Sequence, residues 1–206
     1  MSAVRKRLRQ AGKGRIAGIL AELLDMLEVA LLCAFCLVLL FAYVLELATV
    51  QGDSMEPTLQ DQDQLLVFQL DKNPDCGDVV IVDSQRAALL DEEGRLTASE
   101  GLGKCIVKRV IAKGGQTLDI DFENGVVTVD GQALDEPYIK DLTTVPVSGG
   151  AFSYPIEIPE GYLFVMGDNR MISKDSRYQD VGLVPESDVD GVVLLRLYPW
   201  NGFGPV

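Results

Sequence analysis

The sequence predicts a mainly β protein, in which a single N-terminal transmembrane helix precedes an extracytoplasmic all-β domain, a folded sheet or partial barrel. Three observations predict this fold. Residues 29–45 form an apolar run without a charge. Short runs of alternating apolar and polar residues, separated by turn residues, follow residue 50. No helical periodicity of any length appears beyond that point.

The apolar run is slightly short for a membrane span, at about 25 Å with ~1.5 Å of rise per residue. Flanking residues such as Leu47, Ala48 and Val50 lengthen it to a plausible crossing. A cleaved signal peptide is the alternative, but the run is long for one and no A-x-A site follows it. We therefore expect an uncleaved anchor, within a juxtamembrane and transmembrane helix over residues 16–50.

The charge pattern predicts the orientation of this anchor. The tail of residues 1–15 carries six basic residues and no acidic one, whereas residues 51–206 carry 12 basic and 27 acidic residues. The positive-inside rule keeps the tail in the cytoplasm and places the domain outside, so we expect a single-pass protein of the cell membrane in contact with lipid. The acidic domain argues against nucleic acid as a partner, because phosphate binding needs a basic surface.

The external domain divides into predicted strands and two loop insertions. The residues at 117–120 and 125–129 are expected to pair, and Asp130-Gly131 is typical of a type I′ hairpin turn. A polar stretch over 84–103 predicts a long loop or a protruding hairpin, and 134–158 predicts an insertion rich in Pro, Gly and Ser. The other strands are expected at 64–70, 77–83, 104–112, 161–166 and 190–198.

The spacing of the cysteines and the absence of histidine predict no metal or cofactor site. Cys76 and Cys105 are expected at opposite ends of one hairpin, so we expect both to be free thiols. No residue spacing matches a metal site and the chain contains no histidine, so we expect neither a metal nor a cofactor.

Ser54 is the candidate nucleophile, because it stands in a glycine-containing turn only nine residues beyond the apolar run. The absence of histidine excludes a Ser-His-Asp triad. A lysine is the remaining base, because burial can bring the pKa of its amine toward neutrality. An ordinary turn serine is the alternative interpretation.

Lys108 is the candidate base. Strand alternation places it on one face with Ile106 and Val110, whose apolar side chains would desolvate the amine and lower its pKa. A strand-edge lysine that reaches water is the alternative. The remaining lysines considered lie in polar or glycine-rich surroundings and look solvated: Lys104, Lys113, Lys140 and Lys174.

A polar segment follows the predicted strand at 161–166 and is longer than a simple turn requires. Ser173 is expected to hold the lysine by a hydrogen bond. Asp175 and Arg177 are expected to pair and brace the segment. Turn-forming roles, with hydrogen bonds to backbone groups, are expected for Asp168 and Asn169.

Together the blocks GDSMEPTL, GDVVIV, KRVIAKGG and GDNRMISKDSR resemble bacterial type I signal peptidases, membrane-anchored Ser-Lys endopeptidases that cut signal peptides from exported preproteins. The resemblance covers nearly the whole chain. The single span and the small insertion are more similar to the compact form of these enzymes found in Gram-positive bacteria. The resemblance implies that Ser54 is the nucleophile, Lys108 the general base and Ser173 the residue that orients the lysine. Secreted preproteins would be the substrates, with small residues such as Ala preferred, and the apolar residues beside the pair would contact them: Met55, Ile106 and Val107.

The chain departs from this pattern at three places. The resemblance implies that the N–H of Ser54 contributes to the oxyanion hole, but Gly52 stands where some members carry a serine hydroxyl as a second donor. Met171-Ile172 replaces a polar pair, and Ala112-Lys113-Gly114 replaces the commoner Gly-x-Pro.

Two other functions stay open at this point. One is a peptidase of the same group dedicated to pilins or to a single substrate. The other is a catalytically silent, membrane-anchored domain that binds secreted proteins or assembles pili. A soluble self-cleaving repressor is disfavoured by the anchor and by the lack of a DNA-binding domain.

Overall fold

The structure, a computed structural model, describes residues 2–91 and 93–206, with the side chains of the N-terminal helix described at Gly14, Ile19 and from Glu22 onward. In this part of the chain, helix α1 (Ser2–Tyr43) precedes twelve strands and two short 3-10 helices, Glu186–Asp188 and Trp200–Gly202. The strands are β1 (Leu45–Thr49), β2 (Gln64–Phe68), β3 (Val79–Leu90), β4 (Leu96–Lys113), β5 (Thr117–Asp121), β6 (Val126–Val129), β7 (Gln132–Ala133), β8 (Ile156–Glu157), β9 (Tyr162–Met166), β10 (Val184–Pro185), β11 (Val189–Tyr198) and β12 (Gly204–Pro205).

The chain forms two compact units, Met1–Val44 and Leu45–Val206. In the first unit, the segment Glu22–Tyr43 has a mean hydropathy of 2.5 and none of it is buried. Its 22 residues are enough to cross a bilayer. Since the core helix of a soluble protein would be buried, this exposure favours the predicted anchor.

The helix ends earlier than expected. It stops at Tyr43, and Leu45–Thr49 form strand β1, where hydropathy led us to extend the helix to residue 50. Strand β1 pairs antiparallel with β2, from Leu45 opposite Phe68 to Thr49 opposite Gln64. Apolar content alone does not distinguish a helix from a strand, and here pairing with the distant strand β2 makes this segment a strand.

The second unit is a β domain of two sheets. The larger has the order β1-β2-β11-β3-β4-β9-β10, with β12 on β11, and the smaller has the order β7-β6-β5-β8. Every pair in them is antiparallel. Three apolar clusters fill the domain, and β4 contributes to two of them through Ile111 and Val110. The second half of β4, from Ile106 onward, therefore runs through the centre of the core.

The stretch at 84–103 is a hairpin rather than an irregular loop. Strand β3 continues to Leu90 and β4 begins at Leu96, and the two pair with Leu90 opposite Leu96. Cys105 lies opposite Asp83 on this ribbon, whereas Cys76 precedes β3, and both thiols are free. The expectation of free thiols is confirmed.

The insertion at 134–158 is not irregular throughout. Its end forms the two-residue strand β8, which pairs with β5 through Leu118 opposite Ile156. The other hairpin predictions are confirmed: β5 pairs with β6, and Asp130 and Gly131 both have positive φ, 53° and 77°.

Candidate active site

Ser54 lies in the turn between β1 and β2. Below it, Met55 and Leu59 are fully buried in one apolar cluster, and the N–H of Leu59 donates to the carbonyl of Met55 at 2.9 Å. At the start of the turn, the N–H of Gly52 donates to Asp61 Oδ1 at 2.8 Å, with Gly52 at a φ of 85°. A left-handed φ of this kind suits glycine, which explains why glycine precedes the candidate nucleophile. The turn is thus fixed from below, with Ser54 half-buried at its surface.

Lys108 is buried on β4, with 3% of its surface exposed. Its Nζ is 2.6 Å from Ser54 Oγ and donates to the carbonyl of Val107 at 2.8 Å. Burial lowers the pKa of Lys108 from 10.5 to about 8, although the carboxylate of Asp175 acts in the opposite direction. The structure therefore joins the two residues that the sequence singled out, and it desolvates the amine.

The segment after β9 is braced by the pair formed by Asp175 and Arg177. Arg177 Nε donates to Asp175 Oδ1 at 2.8 Å, and both side chains are buried. Burial alone would raise the pKa of Asp175, but the guanidinium of Arg177 and the N–H of Gly167 outweigh it and hold that pKa below its usual value. Asp175 therefore stays ionised, and the pairing expected from the sequence is present.

Asn169 binds two consecutive backbone carbonyls at the candidate nucleophile, those of Asp53 and Ser54. Its main-chain N–H donates to the carbonyl of Ser54 at 3.0 Å, and its Nδ2 donates to the carbonyl of Asp53 at 3.1 Å. The expectation that Asn169 binds backbone groups is thereby met. These two bonds fix the Ser54 turn against the segment that follows β9.

Asp168 has different partners from those expected. Its carboxylate binds side chains: Arg109 Nε and Nη2 donate to Oδ1 and Oδ2 at 2.9 and 2.7 Å, and the hydroxyl of Thr58 donates to Oδ2 at 2.5 Å. The expectation of a turn-forming role with backbone partners was wrong. The reason is that Arg109 is itself buried, and a buried guanidinium requires a carboxylate partner.

The Arg109–Asp168 pair joins all three chain segments of the site. Arg109 lies next to Lys108 on β4, Thr58 closes the Ser54 turn, and Asp168 follows β9. Sequence reasoning missed Arg109 and Thr58. A signal was present for Arg109, because strand alternation placed it between Val107 and Ile111 on a strand expected to be apolar.

Ser173 lies at the site, but its expected bond to the lysine is not among those observed. It is 1% exposed, and its Oγ makes no hydrogen bond of normal geometry with the described residues, although it approaches Asp175 closely enough to help hold the pKa of that carboxyl below its usual value. A Cβ added to Gly167 would come within 2.2 Å of Ser173 Oγ and 2.4 Å of the Ser54 carbonyl oxygen. Ser173 thus packs tightly over Gly167 beside Ser54, and its role in orienting Lys108 stays a prediction.

The three residues expected to contact substrate differ in exposure. Met55 is 1% exposed in the cluster beneath the Ser54 turn, and Ile106 is buried in another cluster. Val107 is half-buried and is the most accessible of the three. The structure also brings to the site four residues that the sequence did not indicate, Glu136, Tyr138, Thr143 and Arg170.

The chain is similar to known proteases over most of its length. The family described as "Signal peptidase, peptidase S26" matches residues 22–198. A probable signal peptidase I-1 of Synechocystis sp. is 34% identical over 186 residues, covering 89% of this chain and 85% of that protein. A signal peptidase I of Bacillus licheniformis is 30% identical over 187 residues, covering 87% and 91%. A crystal structure of a signal peptidase I from Enterococcus faecalis V583 aligns with a TM-score of 0.39 and 24% identity, covering 58% of this chain and 96% of that one.

Proposed function

We propose a Ser-Lys mechanism for this chain, which belongs to the peptidase S26 family of signal peptidases. As a member of that family it is a serine endopeptidase that removes signal peptides from exported proteins. One observation supports the residue assignment most strongly: Ser54 Oγ and Lys108 Nζ lie 2.6 Å apart in a chain without histidine. Ser54 is the nucleophile and Lys108 the general base.

The proton moves between these two side chains and the substrate. Neutral Lys108 accepts the hydroxyl proton of Ser54 as Oγ attacks the scissile carbonyl carbon. The C–N bond then breaks, Lys108 gives the proton to the leaving nitrogen, and the acyl group remains on Ser54 as an ester. Lys108, neutral again, takes a proton from the water that attacks this ester, and returns it to Ser54 Oγ as the acid product leaves.

The low pKa of Lys108 supports this role. With a pKa of about 8, about one lysine in ten is neutral at pH 7, because each pH unit below the pKa reduces the neutral fraction tenfold. A solvated lysine with a pKa of 10.5 would be neutral about 300 times less often at that pH. Burial therefore supplies the base that histidine supplies in other serine proteases.

We place the substrate along the edge of β4 that precedes Arg109. In the described part of the chain, β9 pairs with β4 only from Arg109 to Lys113. The main-chain groups of Val110 bind Gly77 and Asp78, which lie just before β3. Because the main-chain groups of successive strand residues point to alternate edges, those of Val107 point to the opposite edge of β4. An extended preprotein segment could pair with this edge, with alternate side chains in two small pockets.

The expected substrate contacts divide by the element that carries them. Ile106 and Val107 belong to the strand whose edge is free, and they contact the substrate in this proposal. Met55 instead supports Ser54 from below and excludes water from it. Ser173, packed over Gly167, orients the amine of Lys108 in this proposal, and Asp168, Asn169, Asp175 and Arg177 hold the surrounding segments.

The main-chain N–H of Ser54 is the oxyanion donor in this proposal. Within the described residues it has no hydrogen-bond acceptor, so it is free to bind the developing negative charge on the substrate oxygen. Gly52 supplies no hydroxyl as a second donor.

The membrane helix sets where the enzyme acts. The basic tail of residues 1–15 lies in the cytoplasm, α1 contacts membrane lipid, and the domain from Leu45 onward is extracytoplasmic. Ser54 follows the end of α1 by a short stretch of chain, so we place cleavage at the outer membrane–water boundary. The acidic domain has no role in binding nucleic acid.

Cleavage of a purified preprotein with an Ala-x-Ala site, by the detergent-solubilised chain, tests the assignment. Ser54→Ala and Lys108→Ala should each abolish cleavage, because each removes one partner of the proton transfer. Lys113→Ala is the matched control, since Lys113 lies on the same strand and, among the residues that the structure describes, its amine pairs only with the exposed carboxylate of Asp75, at 3.6 Å. It should retain full activity.

Three other results would each contradict this proposal in a different way. Cleavage that survives both substitutions would move the chemistry to other residues. A wild-type chain that cuts only one preprotein among many would show a dedicated peptidase, such as one for pilins. A wild-type chain inert on every preprotein, with normal folding, would show a binding or assembly domain.

A further inference from the structure

Residues 136–143, which we call the strap, reach the site from a loop that carries no strand or helix at these positions. Half of the eight residues of the strap are exposed, yet Thr143 is 1% exposed and the side chain of Glu136 is 7% exposed. An exposed loop that buries polar side chains needs specific partners for them. Those partners lie in the three chain segments that form the site.

The first partner is the segment after β9. Arg170 donates from Nη1 and Nη2 to both carboxylate oxygens of Glu136, and Nη1 also donates to Thr143 Oγ1 at 2.8 Å. The side chain of Arg170 is fully buried. A bidentate pair of this kind is strong and geometrically specific, so it fixes the strap to the segment that holds Asn169.

The second partner is Arg109, the neighbour of Lys108 on β4. The ring of Tyr138 lies over the guanidinium of Arg109, with 4.1 Å between Arg109 Cζ and the ring centroid. The hydroxyl of Tyr138 donates to Glu136 Oε1 at 3.1 Å. Tyr138 is thereby held between Arg109 and the Glu136–Arg170 pair.

The third partner is the Ser54 turn. Lys140 Nζ lies 2.7 Å from Oε2 of Glu56, two residues beyond Ser54. The main-chain N–H of Lys140 donates to the carbonyl of Asp168 at 3.0 Å. The strap therefore contacts the nucleophile turn, the base strand and the segment after β9.

We propose that the strap positions Ser54 against Lys108, and that Tyr138 is its principal positioning residue. This inference rests on the proposed function of the Ser54–Lys108 pair. Tyr138 does not touch the reacting atoms. It acts through Arg109, whose pairing with Asp168 and Thr58 holds the Ser54 turn beside β4.

The ring of Tyr138 has two physical effects on Arg109. It attracts the guanidinium through its π face, and it excludes water from the Arg109–Asp168 pair. Without the ring, water competes for Arg109 and Asp168, and the hydroxyl of Thr58 loses a fixed acceptor. The Ser54 turn then moves relative to Lys108, and proton transfer across 2.6 Å is sensitive to such a displacement.

The test compares Tyr138→Leu with Tyr138→Phe in the full-length, detergent-solubilised chain. Tyr138→Leu should lower kcat about tenfold and leave KM within about twofold, because a positioning defect acts in the transition state. Tyr138→Phe keeps the ring over Arg109 and should restore kcat to within about twofold of wild type. Phe152→Leu is the matched control, an aromatic residue of the same insertion that packs instead near Phe164. It should leave kcat unchanged.

Amide hydrogen exchange adds a readout that does not depend on activity. The N–H groups of Glu56 and Leu59 donate within the Ser54 turn, to Asp53 and Met55. In Tyr138→Leu they should exchange at least about threefold faster than in wild type and in Phe152→Leu, because the turn opens locally more often.

The outcomes separate this inference from the proposed function. Wild-type kcat and exchange in Tyr138→Leu would overturn the positioning role, even where Ser54→Ala abolishes cleavage. Equal losses of kcat in Tyr138→Leu and Phe152→Leu would also overturn it, since the effect would then come from general stability. A wild-type chain without any cleavage would remove the proposed function, whereas faster exchange in Tyr138→Leu would still show that the strap holds the turn.

Discussion

Lys108 derives its chemistry from burial without a carboxylate partner. Its amine contacts a hydroxyl and a carbonyl, and in the part of the chain that the structure describes it belongs to no ion pair. The two acidic groups whose charges raise the pKa of Lys108, Asp168 and Asp175, are each paired with their own arginine. Because those carboxylates are paired elsewhere, desolvation prevails and the pKa of Lys108 falls to about 8.

The pH dependence of cleavage should follow this lysine. Only neutral Lys108 accepts the Ser54 proton, so kcat/KM should rise about tenfold per pH unit below about pH 8 and level off above it. The sign follows from the direction of the pKa, since raising pH deprotonates the amine and creates the active form. Initial rates at low substrate, from pH 6 to 10, measure the midpoint.

Either of two profiles would contradict this assignment. A rate independent of pH over that range would show that Lys108 is not the titrating base. A rate that falls as pH rises would show that the active form is protonated.

At the scale of elements, the site forms where three segments meet with almost no free space. Strand β4 brings Lys108, the turn after β1 brings Ser54, and the segment after β9 binds the Ser54 turn through Asn169. Gly167 stands at the meeting point, because a Cβ there would overlap Ser173 Oγ and the Ser54 carbonyl. The closeness of the three segments, rather than an unusual φ, requires glycine at this position.

Gly167→Ala should therefore damage the site with limited effect on the fold. The methyl group would push the Ser54 turn and the segment after β9 apart, and we expect a loss of kcat/KM of about 100-fold. Thermal unfolding should show a destabilisation of about 1–3 kcal/mol, typical of overpacking.

Gly150→Ala is the control for this substitution. There the added Cβ would lie 3.2 Å from the carbonyl oxygen of Val147 and 3.3 Å from that of Arg177, about 1 Å farther than the overlaps at Gly167, so a shift of a few tenths of an ångström accommodates it. Gly150→Ala should keep nearly full activity. Equal activity in the two variants would mean that the close approach at Gly167 does not hold the site together.

At the scale of the whole molecule, the anchor and the β domain are separate units. All three apolar clusters consist of residues after Leu45. Both sheets and every residue assigned to the reaction also lie in this unit. The three clusters and both sheets are thus internal to this unit.

A chain that begins at Leu45 should fold by itself. We expect its circular dichroism to show a β protein and its Tm to lie within a few degrees of the full chain, because no core residue is removed. It should also cleave a short soluble peptide at a rate close to that of the full chain. Aggregation or an unfolded spectrum would show that α1 contributes to the stability of the domain.

Much of this protein is determined by local patterns that the sequence displays directly. The membrane helix follows from an uncharged apolar run, the central strands from alternation, and the β5–β6 hairpin from its turn residues. The missing histidine and the apolar strand neighbours of Lys108 make Ser54 and Lys108 candidates, and the resemblance of the four sequence blocks to signal peptidases assigns their roles. The helix, the strands and the hairpin need only neighbouring residues, whereas the two roles need the combination of blocks.

Only the tertiary structure decided the rest, because it depends on partners that are distant along the chain. Arg109 and Asp168 are 59 residues apart, and strand β1 exists because Leu45–Thr49 meet β2 rather than continuing a helix. The strap reaches the site through Glu136 and Tyr138, in an insertion with no periodicity to read. A side chain's charge and size are local properties, whereas the partner that neutralises or covers it is chosen by the fold.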